Sequence, residues 1–140
     1  MLLVLDASVV TKWFKKEKFT DAALKIREEF RKGEHELIVP DLVLYEISNA
    51  MRYDESFTPE MIKDSQDSLM DMEMEIVTPT REILKNSVDI AEEREITIYD
   101  ASYMALAELI EATLITADGK LFEEIKDMSF VQFISEFNDK

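Results

Sequence analysis

The segment Leu2–Asp6 reads Leu-Leu-Val-Leu-Asp, an apolar run that ends abruptly in an acid. A short run of this kind is typical of a strand that is buried on both faces of a parallel sheet. The same arrangement recurs late in the chain, where Thr113–Thr116 predicts a strand and Asp118 follows it closely. The two segments therefore predict two buried strands that each end beside a carboxylate.

The chain between and around these strands alternates strand patterns with helix patterns. Further strands are predicted at Leu37–Val39, Glu75–Val77 and Phe130–Phe133, the last as a fifth strand or an edge segment. Helices are predicted over Ser8–Lys15 and Thr20–Arg31, with Gly33 as a stop, then from Asp41 as N-cap, from Pro59, from Thr80, over Tyr99–Ala112, and near Lys120–Ile125. This alternation predicts an α/β fold with a mainly parallel sheet of four to five strands, covered by helices on both faces.

Length and composition predict one folded domain over residues 1–140, because no linker-like or low-complexity stretch interrupts the chain. Hydrophobic residues make up 46% of the sequence, which argues against disorder. No apolar run approaches the roughly 20 residues that a membrane span needs, and the N-terminus lacks the pattern of a signal peptide. We therefore expect a cytoplasmic protein that makes no membrane contact.

The cysteine and histidine content of the chain limits the kinds of catalytic group and metal site that it can form. The chain has no cysteine, which excludes disulfides, thiolate metal sites and cysteine nucleophiles. Its single histidine, His35, lies in a segment predicted to be a polar turn, so histidine triads and multi-histidine zinc sites are excluded as well. Any metal must then bind through oxygen ligands, which favour Mg²⁺ or Mn²⁺.

Two further acids, Glu46 and Asp100, lie inside apolar helical patterns. Taken singly, each candidate has an ordinary interpretation: Asp6 and Asp118 as helix caps, Asp100 as a first-turn acid, Glu46 as a surface residue. Taken together they are less ordinary, because ligands in parallel sheets bind beyond the carboxyl ends of the strands, at the switch point. Acids that converge there without basic neighbours favour a divalent cation, which points to chemistry on phosphate.

The net charge of −15 argues against a general nucleic-acid binder, so any nucleic-acid contact is expected to be local, or a basic partner to be involved. Half of the lysines and arginines lie between Lys12 and Lys32. Lys12, Lys15 and Lys16 are interleaved with aromatic residues there and are candidate RNA contacts. The alternative is that Trp13 packs in the core or at an interface and that the lysines form a solvated face.

The acidic motifs carry a resemblance to a known family. They are Val4-Leu5-Asp6-Ala7-Ser8, Leu44-Tyr45-Glu46, Tyr99-Asp100-Ala101 with Ala105-Leu106-Ala107-Glu108, and Leu114-Ile115-Thr116-Ala117-Asp118. In this order and approximate spacing they resemble the PIN domain, specifically the VapC-type toxin ribonucleases. The resemblance covers essentially the whole chain.

The resemblance implies a three-layer α/β/α sandwich and a Mg²⁺- or Mn²⁺-dependent endoribonuclease, the toxin of a VapBC-type toxin–antitoxin pair. It implies that Asp6, Glu46, Asp100 and Asp118 are the catalytic, metal-site acids. Ser8 and Thr116 match small polar positions that support the pocket by hydrogen bonds. RNA as substrate, a cognate antitoxin and a homodimer are the partners that it implies.

Three other interpretations remain open at this stage. A non-catalytic interaction module on the PIN scaffold would show no Mn²⁺ site that depends on these acids. A haloacid-dehalogenase-type phosphatase also begins with a strand that ends in an aspartate, but its second aspartate would fall on Ser8. A phosphorelay receiver domain needs paired acids after its first strand and a late lysine, and neither is evident around Asp6 or Thr116.

Overall fold

The computed structural model describes residues 1–137, which form a five-stranded sheet in which every pair of neighbouring strands is parallel. In chain order the strands are β1 (Leu2–Leu5), β2 (Glu36–Pro40), β3 (Glu75–Val77), β4 (Thr113–Thr116) and β5 (Val131–Phe133). Their order across the sheet is β3-β2-β1-β4-β5. The sequence-based prediction of an α/β fold with a mainly parallel sheet is confirmed.

The described residues also form seven α-helices and one 3₁₀ turn between the strands, and a second 3₁₀ turn after β5. The helices are α1 (Ala7–Val10), α2 (Thr20–Arg31), α3 (Leu42–Arg52), α4 (Pro59–Asp71), α5 (Arg81–Arg94), α6 (Ile98–Leu109) and α7 (Gly119–Ile125), and the 3₁₀ turns are Thr11–Trp13 and Ile134–Glu136. Helices α1 to α4 lie on the connections from β1 to β2 and from β2 to β3, which run towards the β3 edge of the sheet. Helices α5 to α7 lie on the connections from β3 to β4 and from β4 to β5, which run towards the β5 edge. Right-handed crossovers place these two sets on opposite faces of the sheet.

Helix α6 packs against β1, β2 and β4, so it crosses the middle of the sheet. Its side chains from Tyr103 to Ala107 are all buried, as the nearly continuous apolar sequence of this helix predicts. Strand residues such as Leu3, Leu5, Leu114 and Ile115 have no solvent exposure. The central strands and α6 therefore form a buried base beneath the carboxyl edge of the sheet.

Several helix ends follow directly from local sequence. Thr58 and Thr80 cap α4 and α5 by accepting hydrogen bonds from backbone N–H groups, and Pro59 occupies the first position of α4. Gly33 has a φ of 81° just beyond α2, a conformation that glycine adopts without a steric penalty. Asp41 precedes α3, but its side chain makes no capping hydrogen bond, so the predicted cap is wrong in that respect.

Two helices differ in extent from the prediction. The helix expected over Ser8–Lys15 is the short α1 followed by a 3₁₀ turn, which carries Trp13 into the core, where its indole N–H donates to the Ala23 carbonyl at 2.9 Å. The helix expected to reach Ala112 ends at Leu109, because the chain turns through Glu111 at a φ of 56° before entering β4.

His35 is not part of an exposed polar turn, as its neighbours had suggested, but is only 5% exposed. Its Nε2 lies 3.6 Å from Oε1 of Glu29, and its ring meets that of Phe137 edge to face. A charged neighbour in sequence therefore did not indicate exposure at this position. None of the helices over residues 1–137 is both long and apolar enough to span a membrane.

Candidate active site

The topological switch point of the sheet lies between β1 and β4. The connection that leaves β1 leads to β2 on one side of it, whereas β4 lies on its other side. In the pairing register Leu5 lies opposite Ile115, and the N–H of Asp6 donates to the Ile115 carbonyl at 3.3 Å. The two acids that follow these strands, Asp6 and Asp118, therefore leave the sheet at the same edge, where ligands bind in folds of this kind.

Asp6 is 5% exposed and caps α1, with Oδ1 accepting from the N–H of Ser8 at 3.0 Å and from the Ser8 hydroxyl. Burial raises the pKa of Asp6 from 3.8 to about 6, and the charge of Asp118 raises it further, while hydrogen bonds from Ser8, Thr116 and the Val9 N–H oppose the rise. The predicted capping role of Asp6 is confirmed. The capping residue is also a buried carboxylate at the end of β1.

The two predicted supporting residues, Ser8 and Thr116, lie between Asp6 and Asp118. The Ser8 hydroxyl oxygen accepts from the Ala117 N–H at 2.8 Å and lies 3.4 Å from Oγ1 of Thr116. Thr116 Oγ1 in turn accepts from the N–H of Asp118 at 3.1 Å. These contacts fix the backbone that carries Asp118 relative to the end of β1.

Asp100 and Asp118 line one cavity of about 480 Å³ at this edge. Asp118 caps α7 through the Leu121 N–H at 3.1 Å, and Asp100 lies in the first turn of α6, where its own N–H is held by Thr97 at 3.0 Å. Burial raises the pKa of Asp100, the charge of Asp118 adds to the rise, and a hydrogen bond between the Asp100 and Thr97 side chains opposes it. The two acids are therefore electrostatic neighbours.

Glu46 reaches the same region from α3, and it is joined to α6 by a residue that the sequence did not single out. The Tyr103 hydroxyl donates to Oε1 of Glu46 at 2.5 Å. Burial raises the pKa of Glu46, the Tyr103 hydrogen bond lowers it, and the charge of Asp100 raises it. Tyr103 follows Asp100 by three residues and so shares its helix face, which is the one sequence signal that could have found it.

Each of the four carboxylates therefore has a like-charged neighbour. Asp100 repels Glu46, and Asp118 repels both Asp100 and Asp6. No ion pair formed within residues 1–137 involves any of them. In the same part of the chain, no group of three or more carboxylate or imidazole side chains is already gathered around one metal position. Like charges stay apart until a cation draws them together, so separation is expected of uncompensated acids.

The donor set fits a hard divalent cation. It consists of carboxylate oxygens, with hydroxyl and backbone oxygens close by, and it includes a buried acid that no lysine or arginine in the described chain neutralises. Oxygen ligands of this kind suit Mg²⁺ and Mn²⁺ rather than zinc or copper. Asp6, Glu46, Asp100 and Asp118 are the residues that could hold such an ion.

The three lysines predicted as RNA contacts have different surroundings. Lys12 is 7% exposed, and its Nζ lies 2.9 Å from Oε1 of Glu17. Lys15 pairs with Asp54 at 3.0 Å, and Lys16 is exposed. A further lysine, Lys120, is exposed and lines the cavity of Asp100 and Asp118, although its sequence context does not single it out. Lys16 and Lys120 are therefore more accessible to a phosphate than Lys12.

Comparison with known proteins agrees with this geometry. The PIN domain family model matches residues 3–128. The chain belongs to the PIN domain family. A curated relative of this PIN domain is ribonuclease VapC3 of Pyrobaculum aerophilum, which is 29% identical over 129 residues, covering 89% of this chain and 95% of the relative. The relatives of this chain therefore include a VapC-type ribonuclease.

Solved structures share the fold of this PIN domain at low sequence identity. A toxin–antitoxin complex from Klebsiella pneumoniae has a TM-score of 0.69 at 16% identity, covering 96% of this chain and 99% of the other. VapBC2 of Rickettsia felis, solved bound to a promoter DNA fragment, has a TM-score of 0.72 at 18% identity, covering 95% and 98%. These likenesses establish the fold.

Replacing Ser8 with alanine should destabilise this PIN domain. The substitution removes the acceptor of the Ala117 N–H and a donor to the buried Asp6 carboxylate, so we expect a loss of about 1–3 kcal/mol in the free energy of unfolding. Urea denaturation measures the loss, with the exposed Ser56→Ala as the matched control. An unchanged denaturation midpoint for Ser8→Ala would show that the bridge between β1 and β4 has no energetic importance.

Replacing Tyr103 with phenylalanine should make metal binding more sensitive to acid. The hydroxyl lowers the pKa of Glu46, so its removal raises that pKa and leaves Glu46 protonated at higher pH. We expect the acid limb of Mn²⁺ binding, followed by electron paramagnetic resonance, to move to higher pH. Tyr53→Phe, at an exposed tyrosine, is the control. If the pH profiles of Mn²⁺ binding for Tyr103→Phe and wild type superimpose, Tyr103 does not influence the site.

Proposed function

We propose that this PIN domain is a Mg²⁺- or Mn²⁺-dependent endoribonuclease and the toxin of a VapBC-type toxin–antitoxin system. The observation that carries the proposal is the set of four carboxylates from β1, α3, α6 and the end of β4, which repel one another at the switch point of the sheet. Membership of the PIN family and the similarity to a VapC-type ribonuclease support the same conclusion.

In this proposal Asp6 and Asp100 supply the principal metal ligands, with Glu46 and Asp118 completing the site. When bound, a divalent ion would supply an activated water and would neutralise charge on the phosphate oxygens of the scissile bond. Ser8 and Thr116 hold Asp6 and the Asp118 backbone in position, and Tyr103 orients Glu46. These positioning contacts limit the rearrangement that metal binding requires.

The acidity of the chain shapes how RNA is expected to approach. A net charge of −15 repels phosphate, so we expect binding to be assisted by the metal and by local cations. Lys120 is exposed in the cavity of Asp100 and Asp118, Lys16 is exposed, and Lys15 is partly engaged by Asp54. Lys120→Gln should therefore weaken RNA binding more than Lys12→Gln, because Lys12 is buried against Glu17.

The same acidity suits a basic inhibitor. An antitoxin side chain that carries a positive charge would be attracted to Asp6, Glu46, Asp100 and Asp118, which together are called the carboxylate cluster below. The surrounding negative field would speed its association. Some structural neighbours were solved in toxin–antitoxin complexes. We propose a cognate antitoxin and a homodimer for this chain, acting in the cytoplasm, where RNA substrates are found.

Cleavage of a defined RNA panel tests the proposed activity. Single-stranded and hairpin RNAs are incubated with the protein in Mn²⁺, in Mg²⁺ or in chelator, and the fragments are separated by size. Internal fragments that appear only with metal are expected. Intact RNA under every condition, together with no Mn²⁺ binding, would instead indicate a non-catalytic interaction module on the PIN scaffold.

Growth of a bacterial host tests the toxin role separately. Induced expression of the wild-type chain should arrest growth, and expression of Asp6→Asn at the same level should not. Equal growth with both chains would contradict the toxin assignment, while leaving the ribonuclease activity to be judged on the RNA panel.

A further inference from the structure

A second cavity opens directly beside the carboxylate cluster. Its volume is about 590 Å³, and Glu46 forms part of its wall, so a molecule in this cavity would lie next to the proposed metal site. Tyr45 and Tyr99 line the same cavity. None of the roles assigned above to the carboxylates, to Ser8, to Thr116 or to Tyr103 accounts for these two tyrosines.

The two tyrosines are placed alike with respect to the acids. Tyr45 directly precedes Glu46 on α3, and Tyr99 directly precedes Asp100 on α6. Tyr45 is 76% exposed and Tyr99 is 65% exposed, and neither hydroxyl has a hydrogen-bond partner among residues 1–137. Two largely exposed aromatic side chains therefore lie directly beside two of the four acids, with hydroxyl groups that no described residue binds.

Polar side chains on α3 also line this second cavity. Tyr45, Asn49 and Arg52 follow one another at helical spacing on one face, and all three line the cavity. Arg52 is exposed and makes no ion pair with any residue in the described part of the chain. In a chain with a net charge of −15, a free guanidinium beside acids is a local site for phosphate.

Resting on the ribonuclease function proposed above, we propose that Tyr45 and Tyr99 stack the base of a nucleotide next to the scissile phosphate, with Arg52 binding a neighbouring backbone phosphate. Aromatic side chains accept any base on their faces, and an unpaired base is required because a paired base is already stacked in its helix. The tyrosines therefore act as positioning residues that select unpaired RNA.

Charge and continuity favour RNA over other occupants of this surface. One RNA strand could place a phosphate near Glu46, a base against the tyrosines and the next phosphate against Arg52, because these residues line one cavity. A basic peptide would meet Arg52 as a like charge. A second copy of this acidic chain would bring further negative charge towards the cluster.

Steady-state cleavage of an unstructured RNA in Mn²⁺ tests the inference. Tyr45→Ala and Tyr99→Ala should each raise KM about tenfold with a smaller change in kcat, as expected when one stacking face is lost. Tyr45→Phe and Tyr99→Phe keep the ring and should restore KM to within about twofold of wild type. Tyr53→Ala is the matched control, because Tyr53 is 79% exposed and does not line the cavity.

A binding measurement separates this inference from the proposed function. Fluorescence anisotropy of the same labelled RNA on the Asp6→Asn protein should show the tyrosine effects without cleavage, and Arg52→Gln should weaken binding and reduce its salt dependence. Fully paired RNA should bind equally to wild-type and tyrosine variants.

The outcomes distinguish the two proposals. Cleavage by wild type with KM unchanged in both alanine variants would overturn the tyrosine inference alone. RNA binding that depends on the tyrosines, without any metal-dependent cleavage by wild type, would overturn the ribonuclease proposal and the position next to a scissile phosphate, and would leave base stacking by the tyrosines standing. Altered self-association of the alanine variants, measured by analytical ultracentrifugation and without a change in RNA binding, would assign this surface to contact between copies and overturn the inference.

Discussion

Asp6→Asn is expected to abolish metal-dependent RNA cleavage, with a fall in rate of at least about 10³-fold, because it removes a proposed principal ligand of the metal ion, and such an ion contributes several kcal/mol to catalysis. Asparagine matches aspartate in shape and keeps an oxygen that can accept from the Ser8 N–H. The substitution therefore removes charge and leaves the cap of α1 intact. Rates on a labelled RNA with Mn²⁺ measure the effect.

The same substitution should stabilise the metal-free fold. The folded-state pKa of Asp6 is about 6 against an ordinary 3.8, so the folded state binds more protons than the unfolded state between these values. The contribution of Asp6 to stability is therefore present below 3.8 and is lost as pH rises to about 6. At neutral pH, Asp6→Asn should recover up to about 3 kcal/mol.

Chemical denaturation across this pH range checks the prediction. The stability advantage of Asp6→Asn over wild type should be largest above about pH 6 and should shrink as the pH falls towards 3.8. Asp67→Asn, an exposed acid on α4 that forms no ion pair with a described residue, is the matched control. Full cleavage activity in Asp6→Asn would defeat the catalytic assignment, whatever the stability curves show.

Removal of divalent metal is the second change with a large expected effect. A chelator should eliminate RNA cleavage, and Mn²⁺ or Mg²⁺ should restore it, because four uncompensated carboxylates repel both one another and the phosphodiester. Metal binding should also stabilise the fold by mass action, by about 2.7 kcal/mol when the free ion is at 100 times its dissociation constant.

Thermal unfolding with and without Mn²⁺ reads the stabilisation without reference to activity. Wild type and Asp67→Asn should unfold at higher temperature with the ion present, and Asp6→Asn should show little change. Cleavage that persists after chelation and dialysis would exclude a metal-dependent mechanism. An equal Mn²⁺ effect on all three proteins would place the ion elsewhere on this acidic surface.

The parts of this molecule that sequence could predict are those fixed by local pattern. Leu2–Asp6 and Thr113–Asp118 combine a buried strand with an acid at its end, and both pairs of features are found in the structure. The parallel alternation of strands and helices then forces the two ends together at one edge of the sheet. The fold class and the position of Asp6 and Asp118 at the same edge of the sheet follow from these signals.

Features that depend on packing between distant segments could not be predicted. The contact of Tyr103 with Glu46 joins residues 57 positions apart and depends on how α3 and α6 approach each other in the folded chain. The burial of Lys12 depends on Glu17 lying within reach of its ammonium group, and that of His35 on Glu29 and Phe137. In each case the sequence supplies a polar residue, and only the tertiary structure supplies its partner.

Calorimetric titration with Mn²⁺ near neutral pH tests most directly whether the carboxylates share a cation. Wild type and Asp67→Asn should bind Mn²⁺ alike, while Asp6→Asn and Asp118→Asn should each bind it more weakly by about tenfold or more. Identical binding isotherms for all four proteins, or no heat of binding in any, would contradict a metal site built from these acids.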